Sequence, residues 1–151
     1  MPDFTSHMNR ALAEAEAATE RGETPVGAVV VAPDGAILGA GGNRVRELAD
    51  PSAHAEMLAL RAAARATGSE RLIGCDLYVT LEPCPMCAGA ISLARIRRLY
   101  YGAADPKTGG VDHGVRVFAH PTCHHAPEVY GGIAEAECAA LLRRFFRERR
   151  D

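Results

Sequence analysis

At 151 residues, 48% of them apolar, the chain has the size and composition to bury one continuous core, and it is read as a single domain over 1–151. A net charge of -2 excludes a uniformly basic surface of the kind that coats nucleic acid. No apolar run approaches the roughly 20 residues of a membrane span, so a cytoplasmic protein without a membrane segment is expected.

Apolar residues at Phe4, Met8, Leu12 and Ala15 recur every three to four positions, which predicts an amphipathic helix over about 5–20. In "VGAVVVAPDGAILGAG" two short apolar runs are joined by Pro33, Asp34 and Gly35, a β-hairpin signal. Asp50 and Pro51 read as the N-cap and first position of a helix that continues through the alanine-rich segment to about 66. "CDLYVTLE" is a predicted strand, 83–96 a helix and "RLYYGA" another strand. A last helix over about 134–149 offers Leu141, Leu142, Phe145 and Phe146 to the core. Helices alternating with strands after an initial hairpin predict an α/β protein with helices on both faces of a mixed sheet. Between "YYGA" and "PEVYGG" lies a stretch of about twenty residues rich in Gly, Pro and His without a clear period, either a functional loop or an undetected element.

The chemistry concentrates in two places. The five cysteines are odd in number and nothing suggests export, so reduced thiols or metal ligands are favoured over a disulfide framework. In "LEPCPMCAGA", Cys84 and Cys87 stand at a helix start with Pro85 in the first turn. Residues three apart on a helix are neighbours, and the exposed N–H groups there favour thiolates. A C-x-x-C alone is shared by redox proteins, structural zinc knuckles and catalytic zinc sites. In "DPSAHAEMLA", His54 offers a third N/S ligand, and three protein ligands leave the fourth zinc position open for water, the catalytic pattern. Glu56 lies two positions on, about 200° around a helix, poorly placed as a ligand beside His54 but able to approach that water as a proton carrier.

H-A-E followed by P-C-x-x-C resembles the zinc-dependent cytidine and nucleobase deaminase superfamily. "TPVGAVVV", "GGNR", "DPSAHAEMLALR", "LYVTLEPCPMCAGAI", "RLYYGAADPKTGG" and "LLRRFFRERR" together resemble the bacterial tRNA-specific adenosine deaminases. The resemblance implies a three-layer α/β/α fold around a mixed five-stranded sheet. It also implies a homodimer that converts the wobble adenosine of a tRNA anticodon loop to inosine, a hydrolase acting on the C–N bond of a cyclic amidine. By the same resemblance His54, Cys84 and Cys87 hold one Zn2+ per subunit, with no organic cofactor, and Glu56 is the general acid and base. Asn43 contacts the target nucleoside, and Asp105 and Lys107 lie beside the RNA. Arg147, Arg149 and Arg150 are expected at the mouth of the site, where they meet phosphates and make affinity fall with salt.

Other readings of these residues stay open. Asn43 and the Asp105 loop also fit ordinary turns, and the arginines, including Arg95, Arg97 and Arg98, fit solvated helix faces. The small residues of "MCAGAISLARI" suit a dimer face or core packing equally. After "DPKTGG" the chain departs from the common family pattern, and His113, His120, Cys123, His124 and His125 lack the spacing of a second metal site; an RNA-facing loop or a local hydrogen-bonding cluster is preferred. The rival activities are deamination of free guanine, cytosine or cytidine, a zinc-containing RNA-binding module, and a redox C-x-x-C protein.

Overall fold

A computed structural model describes residues 4–149, and side chains from residue 7 onward. In chain order the elements are α1 (Phe4–Glu20), β1 (Gly27–Val31), β2 (Ile37–Gly42), α2 (Ala55–Thr67), β3 (Asp76–Leu81), α3 (Pro85–Leu93), β4 (Arg98–Ala103), β5 (Glu128–Tyr130) and α4 (Glu135–Glu148), with a short 3-10 turn at Val117–Ala119. The five strands form one sheet in the order β2-β1-β3-β4-β5. β1 runs antiparallel to β2 and β3, while β3, β4 and β5 are mutually parallel. No described helix is long and apolar enough to cross a membrane.

Each central strand is apolar on both faces because each face is covered, which is why β1 reads as an unbroken run of small and β-branched residues. Ala28, Val30, Leu77, Val79 and Leu99 pack with Ala55, Ala59, Ala63, Ala88 and Ile91 under α2 and α3. Val29, Val31, Tyr78 and Tyr100 pack with Met8, Ala11 and Cys138 under α1 and α4. The result is a three-layer α/β/α arrangement. Close approach of helix to sheet demands glycine at Gly27, where a Cβ would collide with the Ala11 carbonyl oxygen of α1, and at Gly39, where it would meet the Ala59 carbonyl of α2.

Three boundaries differ from the sequence expectation. α2 starts at Ala55, not beside Pro51, because the Asp50 carboxylate accepts the Ser52 N–H and hydroxyl in a local turn. α3 spans 85–93 and not 83–96, since Arg95 takes up a left-handed conformation (φ 63°) that stops the helix. The unassigned stretch ends in β5, only three residues long and too short to show a period. β5 is secured on the sheet edge by an aromatic stack, Tyr78 to Tyr100 at 4.5 Å and Tyr100 to Tyr130 at 5.2 Å, and by the Arg98–Glu128 ion pair.

Candidate metal centre and active site

His54 and Cys84 are the N-cap residues of α2 and α3, and Cys87 sits in the first turn of α3. Both caps are extended (φ -74°, ψ 153° and φ -72°, ψ 171°), and the imidazole and the thiols meet where the two helix starts converge. His54 Nδ1 is 3.6 Å from each sulfur, and one ligand atom from each of the three residues lies within 4.8 Å of the others. Zinc bond lengths of about 2.3 Å to sulfur and 2.0–2.1 Å to nitrogen, opened to a tetrahedral angle, separate N from S by about 3.6 Å. The donor set and its spacing therefore fit zinc, and three ligands leave a fourth position for water.

The helix start that carries His54 is capped from elsewhere in the chain. Asn43 Oδ1 accepts the Ala55 N–H at 2.8 Å, the role expected of Asp50, and this bond orients the Asn43 amide on the cavity wall. The hydrogen bond with Cys87, joined by those from His54 and the Cys87 backbone, brings the Cys84 thiol down to about 4 against the cost of burial. The same bond to Cys84, with burial, pushes Cys87 up. His54 is raised, first by its hydrogen bond to Cys84. These hydrogen bonds favour a thiolate at Cys84, the form a metal needs.

Glu56 is 4% exposed, yet it lines a cavity of about 490 Å³ together with His54 and Cys84. Burial is the main cause that pushes its carboxyl up to about 7, into the range suited to taking and returning a proton near neutrality. On the walls stand Asn43, Asp105 and Arg149. Lys107 does not line this cavity but an adjoining groove, which it shares with Asp105, Arg149, Arg143 and Arg147. Arg150 lies outside the described residues. Asp105 binds its own turn, accepting the N–H groups of Lys107 and Thr108 and the Thr108 hydroxyl. Arg149 lies 3.8 Å over the Phe145 ring.

The remaining basic and histidine-rich segments have local partners. Arg97 pairs with Asp76, Arg98 with Glu128, and Arg95 donates to the Ser92 carbonyl. His120 and His125 bond the carbonyls of Val115 and Ile96, and His113 bonds Glu82, so these three histidines are each engaged with a separate partner. Sequence reasoning missed Glu23, Glu82, Thr108 and Phe146 on the cavity. A charge placed directly before "TPVGAVVV", and another closing the strand before Pro83, were the available signals for the first two.

Residues 1–103 match the family model of the cytidine and deoxycytidylate deaminase zinc-binding region. The chain belongs to this zinc-binding deaminase family. Among these deaminases, the tRNA-specific adenosine deaminase of Agrobacterium fabrum is 61% identical over 150 residues, 99% of this chain and 98% of that protein. A structure from a study of A-to-I editing by tRNA:A34 deaminases at the wobble position of transfer RNA superposes with a TM-score of 0.89 at 62% identity, covering 91% of this chain and 99% of that one. The guanine deaminase of Bacillus subtilis matches with a TM-score of 0.64 at 42% identity, over 69% of this chain and 66% of that one. This deaminase is accordingly a zinc enzyme, with His54, Cys84 and Cys87 as the group whose geometry suits the ion.

Proposed function

We propose that the chain, one deaminase domain over 1–151, hydrolyses adenosine to inosine at the wobble position of a tRNA anticodon loop. The observation that carries the deaminase chemistry is the buried Glu56 carboxylate opening onto the same cavity as His54 and Cys84. The substrate rests on the near full-length identity to a tRNA-specific adenosine deaminase. His54, Cys84 and Cys87 hold the metal; when bound there, zinc supplies a water whose pKa falls to about 7. Glu56 takes a proton from the attacking water and delivers one to N1 of the adenine ring as oxygen bonds C6. Proton transfer to the C6 amine then breaks the C–N bond and releases ammonia, leaving hypoxanthine on the ribose. Asn43 orients the nucleoside from the wall.

The target nucleotide must leave its stack to reach the cavity, and a single-stranded loop presents it at low cost. Asp105 at the cavity, Lys107 beside it and Arg149 and Arg150 at the mouth serve the RNA, the cations through its phosphates. The same reading has the enzyme working as a homodimer in the cytoplasm, with Met86, Leu93 and Val115, 39%, 65% and 53% exposed, as its contact residues. Likeness to a guanine deaminase makes deamination of a free base the second reading. The experiment is to incubate zinc-loaded protein with a tRNA pool and, in parallel, with free adenosine, guanine, cytosine and cytidine. Inosine at the wobble position with the free compounds inert is expected; ammonia released only from a free compound would remove the tRNA assignment and keep the chemistry.

A further inference from the structure

All three buried glutamates of the described chain, Glu23, Glu56 and Glu82, line the same cavity, and the chemistry uses only Glu56. Glu23 Oε1 accepts the Arg46 N–H at 3.1 Å and Oε2 the Glu47 N–H at 2.8 Å, tying down the loop that leaves Asn43. On the other wall, Glu82 Oε1 accepts the Asp105 N–H at 3.0 Å and the His113 ring at 2.7 Å. Its Oε2 takes the N–H groups of Val111, Asp112 and His113 at 3.2, 2.9 and 3.0 Å. Both walls lack regular structure, so their N–H groups have no ladder to pair with, and a buried carboxylate costs free energy unless such donors surround it. The two requirements are met together at the cavity.

We propose that Glu23 and Glu82 are positioning residues for the reaction: each gathers the backbone N–H groups of one wall and thereby fixes where the substrate is held. The proposal rests on the deaminase reading. Neither residue touches the reacting atoms; they act through Asn43 on one side and through Asp105 and Thr108 on the other. Errors of about an ångström in such placement cost up to a hundredfold in rate.

The test compares wild type with Glu23→Gln, Glu82→Gln and His113→Ala, all zinc-loaded, in steady-state deamination of an anticodon stem-loop RNA, with amide hydrogen exchange and metal content. Glutamine keeps the size but sets an NH2 against N–H donors. Expected are one zinc per chain throughout and about tenfold faster exchange confined to the amides of 46–47 in Glu23→Gln and of 105 and 111–113 in Glu82→Gln. KM is expected to rise about fivefold or more, with kcat within about threefold. Should Glu82→Gln fail to fold, His113→Ala removes one donor from an exposed side chain, with about a twofold rise in KM expected. Faster exchange with unchanged KM, or loss of kcat with KM unchanged, overturns the proposal. If wild type deaminates only a free base, the tRNA reading fails, while KM for that base still tests the walls.

Discussion

His54, Cys84 and Cys87 reach a common point from the starts of two helices packed on the sheet, whereas the 104–113 wall has no regular structure and is gathered largely by one carboxylate, Glu82. At the metal end the candidate ligands and Glu56 are the residues that helix geometry aims, so spacing in the chain reports spacing in the fold. At the wall the residues facing the cavity are held through backbone N–H groups. A carboxylate more than twenty positions away in sequence then decides where they stand.

The largest expected effect breaks the metal end alone. Cys84→Ser should remove stoichiometric zinc and reduce deamination to background, read by metal analysis and inosine formation, because two remaining donors no longer enclose the ion. Glu56→Gln should retain zinc and the melting temperature yet lower kcat by about a thousandfold, within the range of general acid–base catalysis. A variant keeping full activity would remove Glu56 from the chemistry. Both outcomes test whether motif residues are separable from the scaffold that aims them.

Smaller effects sharpen the wall side. Asn43→Ala deletes the cap on α2 and should destabilise the protein by about 1 kcal/mol in urea unfolding while also raising KM. Glu82 links wall and stability through pH. Burial alone would raise its carboxyl, but hydrogen bonds from Asp105, His113 and Val111 outweigh burial and hold it below its ordinary 4.5. Its contribution is therefore complete above that ordinary value and is lost as pH falls through the lower native value. The melting temperature should drop from about pH 4.5 downward, and Glu82→Gln should flatten that limb. Least in size, Arg149→Ala should reduce the slope of log affinity for tRNA against log salt by about one, with kcat unchanged.

The legible part of the fold was whatever repeats locally. The hairpin around Pro33–Gly35, the α1 and α4 periods and the apolar runs of β3 and β4 emerged within a residue or two of their observed limits. The α2 start did not, because its cap came from Asn43, twelve positions upstream, while Asp50 formed a competing turn. β5 was silent for a similar reason: three residues paired at a sheet edge owe their place to Tyr100 and Arg98 on the neighbouring strand. His113, His120 and His125, conspicuous by composition, are engaged with nearby carbonyls and Glu82.

By itself the sequence singled out the donor set and the carboxylate proposed as the acid–base group, since H-A-E and P-C-x-x-C place side chains at helix starts whose geometry is local. Only the tertiary structure decided that those starts meet with 3.6 Å between nitrogen and sulfur. It also decided that Lys107 lines only a neighbouring groove while Arg149 lines both that groove and the cavity, and that Glu23 and Glu82 each hold a loop beside the cavity. Helix and strand periods arise from contacts a few residues apart. Burying a carboxylate against the N–H groups of a distant loop depends on how the layers pack, and no local pattern encodes it.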